Sequence, residues 1–201
     1  MADSIISLAT LTGTLLEAAT RGAEAIFWET AHTTSFESDE ERSGFQWRYF
    51  GYYLEHAPEM AFVAYGDVDA ADRRNGDSPL PLGNSRVLGY ICGVVNTRAH
   101  RALYEIAPHV PVFDNLYDRY PAHLHINLTA AARGRGLGGT LLRAIEERAR
   151  LYGAPGIHLV TSVGARNVGF YRKNGYTDAW ERPLNAAPEM DRNLLFLGKR
   201  L

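Results

Sequence analysis

The stretch "AARGRGLGGTLL", residues 131–142, carries glycines at 134, 136, 138 and 139 and arginines at 133 and 135, then turns leucine-rich. It follows "AHLHINL" (122–128), whose alternation predicts a strand with Leu124, Ile126 and Leu128 on one face and His123, His125 and Asn127 on the other. It leads into a helix predicted over Gly138 to Tyr152, with Leu141, Leu142, Ile145 and Ala149 facing inward and Glu146 paired with Arg150 on the outer face. A loop between strand and helix gathers unpaired N–H groups and the positive end of the helix dipole at one point, which makes that point an anion site. Glycines let a ligand approach the main chain with no Cβ in the way. A plain connection has little need of four.

Three phosphate-bearing ligands compete for such a loop. Gly134, Gly136 and Gly139 satisfy G-x-G-x-x-G, the dinucleotide spacing. Yet the next strand, predicted over Ile157 to Ser162, offers no acid for a ribose, and about 60 residues remain, too few for a doubly wound sheet. Gly134 and Gly139 also have the glycine spacing of a triphosphate loop. There Thr140 stands where the lysine is needed and Leu141 where the hydroxyl is.

The third ligand is coenzyme A. Arg133-Gly134-Arg135-Gly136-Leu137-Gly138 resembles the R/Q-x-x-G-x-G/A signature with which the GNAT superfamily of acyl-CoA-dependent N-acetyltransferases binds the CoA pyrophosphate. Downstream, "FYRKNGY" (170–176) resembles that family's F-Y-x-x-x-G-F/Y near its last helix, at a matching separation and in a matching order of elements. The resemblance covers residues 120–180. "RYPAHLHINL" (119–128) further resembles the acetyltransferase-like C-terminal domain of O-GlcNAcases and its free-standing bacterial relatives.

The resemblance implies an α/β fold of GNAT (acyl-CoA N-acyltransferase) type, a mixed, mostly antiparallel twisted sheet flanked by helices, with residues 1–201 as a single domain. It implies that main-chain groups of Ile126, Asn127 and Leu128 pair with the pantetheine arm of acetyl-CoA. The amides of Arg133, Gly134, Arg135, Gly136, Leu137, Gly138, Gly139 and Thr140 would cradle the pyrophosphate, with the side chains of Arg133 and Arg135 either adding charge or simply solvated. Tyr171 maps onto the tyrosine that protonates the departing thiolate, a task suited to a phenol at neutral pH; its alternative is packing. The implied activity is acetyl transfer to an amine of a small molecule, peptide or protein by direct attack. The rival is a catalytically weak or inactive acetyl-CoA-binding module.

Two departures from the family pattern bear on that choice. The family often has an asparagine seven residues before the tyrosine; here that position is Gly164, and Asn167 either caps the helix or reaches the cofactor. Where many members carry a glutamate base, this chain has Ala122 and Leu159, so a base must come from His123, His125, Asp114, Asp118 or water. Asp114 and Tyr117 lie in the segment (97–120) that by position walls the acceptor pocket. His123 and His125 share a strand face, but two histidines are half a metal site with no acid or cysteine to complete it, so no metal is expected.

The remaining sequence sets bounds. Net charge is −2 (21 basic, 23 acidic residues), against a general nucleic-acid face. No run of about 18 apolar residues occurs, so no spanning helix is expected, and the N-terminus lacks a signal-peptide pattern. The single cysteine, Cys92, sits in an apolar run and fits a reducing, cytoplasmic setting. The resemblance, in turn, implies a monomer or a homodimer paired through the C-terminal strand. A strand is expected over 4–10 and helices over 14–30 and 39–56. The latter is dense in rings, with Phe45, Tyr49, Tyr52 and Tyr53 on one face and Trp47 and Phe50 on the other. Those rings imply packing on both sides or a pocket wall. Strands are expected over 60–66 and 86–96, joined by a polar hairpin loop over 67–85, with two closing strands over 176–182 and 193–201.

Overall fold

Apolar alternation and β-branched runs become seven strands: β1 (Ser4–Ser7), β2 (Phe62–Asp67), β3 (Ser85–Val94), β4 (Ala122–Leu128), β5 (Gly156–Ser162), β6 (Asp178–Leu184) and β7 (Arg192–Arg200). The helices are α1 (Gly13–Thr30), α2 (Asp39–Gln46), α3 (Tyr52–His56), α4 (Ala102–Ile106), α5 (Leu137–Leu151) and α6 (Val168–Lys173). These come from a computed structural model that describes residues 3–67, 85–184 and 192–201. The expected hairpin loop therefore lies, but for its two end residues, outside the described residues. β1 is shorter than the expected strand. Leu8–Thr10 turn into a 3-10 helix, and the Thr10 hydroxyl donates to the Ser7 carbonyl at 2.7 Å, a local bond that competes with the ladder.

The chain divides into two compact units, one made of Met1–Gly93 with His125–Ile145, the other of Val94–Leu124 with Glu146–Leu201. In the first, β1 and β2 are antiparallel with Ser4 opposite Tyr65, and β2 and β3 are antiparallel with a bulge at Ala64/Tyr65. The His125–Leu128 end of β4 follows β3: the Thr129 N–H donates to the Leu88 carbonyl at 3.0 Å. Gly89 allows this close approach, since a Cβ there would lie 3.0 Å from the Asn127 carbonyl. Cys92 is fully buried in β3, and burial pushes its thiol up.

The ring-dense helical run is not one regular helix. Ser38 caps α2 by accepting the Glu41 N–H at 3.1 Å, and a π-helical turn over Trp47–Gly51 separates α2 from α3. The wider turn rotates the apolar stripe partway along, which is why rings on nominally opposite faces are both used. Phe50 stacks on Phe27 of α1 and meets Tyr90 of β3 edge-on, while Trp47 and Tyr49 stay half-buried.

In the second unit, β5 and β6 each pair antiparallel with β7, so β7 lies between them. The start of β4 pairs in parallel with β5 through Ala122–Ile157 and His123–His158. That register lays two imidazoles together: His123 and His158 stack at 4.9 Å, and His158 stacks in turn on Tyr117 and Phe196. The His158 Nδ1 lies 2.7 Å from the Tyr120 carbonyl, and burial pushes its pKa down to about 3.

Glu146 corrects the expectation of an outward Glu146–Arg150 pair. Positions 138, 141, 142, 145, 146 and 149 fall at three- and four-residue steps, so Glu146 sits on the buried stripe of α5 and is 2% exposed. Its carboxylate accepts from Lys199 Nζ at 2.7 Å and from the Tyr176 hydroxyl at 3.0 Å. Arg150 instead faces Glu147 at 3.6 Å.

Candidate active site

The glycine loop lies within the first unit. Residues 130–132 form a 3-10 turn, Arg133 is extended, and Gly134 and Gly136 take φ of +79° and +82° before α5 begins at Leu137. That left-handed geometry is open to glycine and strained for other L residues. Among the described residues, no main-chain carbonyl accepts from the N–H groups of Gly134 through Gly139. The first to find one is Thr140, whose N–H donates to the Gly136 carbonyl at 3.2 Å. Residues 133–136 are exposed, whereas Leu137 and Gly138 are buried and anchor the helix start. The result is a run of main-chain donors at the positive end of a 15-residue helix.

Side chains around the loop are already engaged. Arg135 donates to both carboxylate oxygens of Asp3, through Nε to Oδ2 at 3.0 Å and through Nη2 to Oδ1. Asp3 lies over Gly66, where any Cβ would strike its carboxylate. Arg143 donates from Nη2 to the Thr140 hydroxyl at 2.9 Å. Arg133 stands exposed. Neither Asp3 nor Arg143 is marked by spacing; the partner of Arg135 lies 132 positions away in the chain.

β4 changes character along its length. Ala122, His123 and Leu124 are buried, and each residue from His125 to Leu128 is only half-buried. Ile126 and Leu128 keep the strand alternation, and the Asn127 side chain is held on the other face by donating to the Tyr90 hydroxyl at 2.7 Å. His125 Nε2 lies 3.0 Å from the Tyr53 hydroxyl, and its ring meets Tyr53 at 4.9 Å and Tyr49 at 5.8 Å. Tyr53 and Tyr49, read from sequence either as packing rings or as a pocket wall, are thus the neighbours of a site candidate.

The other candidates belong to the second unit. Tyr171, on α6, is 6% exposed, packs against Phe170 and Tyr176, and burial pushes its phenol up. Among the described residues no hydrogen bond engages its hydroxyl. Asn167 holds the N-cap position of α6 without a side-chain capping bond; its Oδ1 instead accepts from the Thr161 hydroxyl at 3.4 Å. Asp114 accepts from the Tyr104 hydroxyl and from Arg98 Nε and Nη2 at 3.2 Å, and these partners hold its carboxyl below the usual carboxylate range. Tyr117 is buried and donates its hydroxyl to the Val110 carbonyl at 2.6 Å. His123 is 1% exposed inside the imidazole stack.

Among the described residues, no group of three or more His, Cys, Asp or Glu side chains is disposed to hold a metal ion. Also among them, no helix is long and apolar enough to cross a membrane.

Residues 84–178, just under half of the chain, match the family model described as acetyltransferase (GNAT) domain. Solved structures align along the whole chain. One is the structure of SsHAT (19% identity, TM-score 0.65, covering 100% of this chain and 98% of that one). Another is the NatC complex bound to Gag peptide and CoA (12%, 0.59, 100% and 99%). A third is the ribosomal-protein-alanine N-acetyltransferase from Brucella melitensis (18%, 0.54, 100% and 100%). Seven strands in a mixed, mostly antiparallel arrangement flanked by helices, the matched segment and these neighbours together identify the architecture: this chain has the GNAT fold.

Proposed function

We propose that the chain works as a single acetyl-CoA-dependent N-acetyltransferase domain that moves an acetyl group to an amine by direct attack. The observation that carries this reading is the run of N–H groups from Gly134 to Gly139 that, among the described residues, meet no main-chain acceptor, in a loop with two left-handed glycines at the head of α5. Such donors fit a diphosphate, and open space where Cβ atoms would stand at Gly134 and Gly136 lets it reach them. The match to an acetyltransferase family over residues 84–178 supports the same ligand, and the NatC relative is itself bound to CoA.

Acetyl-CoA supplies an activated acetyl thioester. The chain does the rest. The half-buried main chain of Ile126–Leu128 aligns the pantetheine arm in the manner of an added strand. Amides of residues 134–139 hold the pyrophosphate; the Arg133 and Thr140 N–H groups of the expected cradle instead donate to the Ala130 and Gly136 carbonyls, and Arg135, already neutralised by Asp3, braces the loop rather than the ligand. Tyr171, kept protonated by burial, delivers its proton to the leaving sulfur. Holding both reactants side by side provides most of the rate advantage. The acceptor is an amine of a small molecule, peptide or protein, the setting cytoplasmic, and kinship with the acetyltransferase-like domain of O-GlcNAcases extends the resemblance of residues 119–128.

The test is a calorimetric titration with coenzyme A, then turnover of acetyl-CoA with peptides bearing free α-amino groups, lysine peptides and polyamines. Binding with turnover supports the reading. Tight binding without turnover would turn it into a binding module, and no binding would end it.

A further inference from the structure

We infer that Asp3 is a positioning residue for the diphosphate loop: carried at the foot of β1, its carboxylate fixes Arg135 and so sets how tightly coenzyme A binds, and the bound cofactor in return steadies β1. This rests on the acetyltransferase reading, which gives residues 134–139 to the pyrophosphate. Residues 133–136 make the exposed part of that loop. Two of them, Gly134 and Gly136, have no side chain and a left-handed backbone, where an unliganded chain keeps the most freedom and loses the most on being ordered. Arg133 stands exposed. Arg135, between the two glycines, is the member of the four whose side chain is fastened among the described residues.

The fastening is built within the first unit. Asp3 precedes β1, an edge strand of four residues whose Ser4 lies opposite Tyr65, and this brings Asp3 beside Gly66 of β2. A Cβ at position 66 would strike the Asp3 carboxylate, so glycine there lets the side chain lie across β2 toward the loop. Both Arg135 bonds then reach one carboxylate, Nε to Oδ2 at 3.0 Å and Nη2 to Oδ1, a paired geometry that fixes the guanidinium in direction as well as in place. The pair is part-buried, with the Asp3 side chain 21% exposed and that of Arg135 35%, so salt screens it less than a fully exposed pair. A guanidinium so held limits the swing of the main chain between 134 and 136, and the loop has less freedom to lose when a diphosphate seats. Linkage makes the effect mutual: whatever order Asp3 lends to ligand binding, ligand binding returns to β1. A short edge strand is the kind of element that opens most readily, so the return is measurable.

The test is calorimetric titration of coenzyme A into wild type, Asp3→Asn, Arg135→Gln, their double variant and Gly66→Ala, with hydrogen exchange over Ser4–Ser7 followed with and without coenzyme A. Each single variant should raise the dissociation constant roughly 3- to 10-fold, and the double variant should bind no worse than the weaker single, since both remove one brace. Asp3→Asn deletes a negative charge, which by itself favours an anion, so weaker binding there reports the lost brace. Gly66→Ala keeps both charges and displaces the carboxylate; Asp3→Asn carries the test if Gly66→Ala does not fold. Coenzyme A should slow exchange over Ser4–Ser7 in wild type and leave it unchanged in Arg135→Gln, whereas a merely structural pair would leave exchange blind to the ligand in both. Unchanged or tighter binding in Asp3→Asn, additive losses in the double variant, or slowing that is absent from wild type or survives in Arg135→Gln, overturns this inference alone. Wild type that takes up no coenzyme A removes the proposed function and this inference together.

Discussion

Replacing Gly136 isolates the main-chain geometry of the loop from everything else. Its φ is +82°, and no atom lies within 4 Å of where a Cβ would stand, so a side chain there meets no steric obstacle and acts through the backbone alone. A non-glycine L residue in the left-handed region costs about 1–2 kcal/mol. In the ligand-free protein an alanine variant relaxes locally to negative φ, because 133–136 is exposed and its N–H groups have few obligations. Binding must then restore the strained turn, so the dissociation constant for coenzyme A should rise about 5- to 30-fold. The order should be glycine, then asparagine, then alanine, then valine, following tolerance of that conformation. The assay is calorimetric titration of the four proteins, with thermal midpoints as control. Equal affinities across the series would refute the reasoning. So would a falling midpoint at unchanged affinity, since the turn would then serve the fold rather than a ligand.

Tyr171→Phe should cut kcat by roughly 10²-fold while coenzyme A binds as before; a full rate would show that another acid serves sulfur. Lys199→Met leaves the buried Glu146 carboxylate with only the Tyr176 hydroxyl and should cost about 3–5 kcal/mol in urea unfolding, most of it recovered in the double variant with Glu146→Gln. An unshifted midpoint would disprove that coupling. His158 is held neutral with its pKa depressed to about 3, so its share of stability is complete above about pH 6.5 and is lost as pH falls from there toward 3. Between pH 7 and 5 wild type should lose about 2 kcal/mol more than His158→Gln, read from urea midpoints at both values; parallel losses would refute the assignment.

Motifs with local chemistry were legible in the sequence. The glycines of 134–139 marked the turn and helix start because positive φ is a property of single residues, and alternation in 122–128 marked β4. Long-range partners were not. Asp3 meets Arg135 and Tyr53 meets His125 across 132 and 72 positions, and no spacing rule encodes such pairs. Glu146 was misplaced because the surface ion-pair rule was applied to a residue whose three- and four-residue steps already put it on the buried stripe. The ring-rich run over 45–53 defied a single helical face because one π turn resets the phase, which no regular period describes.

The sealed position of Cys92 in β3 has a practical consequence. As the chain's sole cysteine, it leaves the native protein nothing with which to consume a disulfide dye such as a dithiobis-nitrobenzoate, so colour developed during turnover counts only liberated cofactor. It also leaves no accessible thiol for a thioester-linked acyl-enzyme; direct attack within a ternary complex, as proposed above, predicts double-reciprocal plots that intersect rather than run parallel.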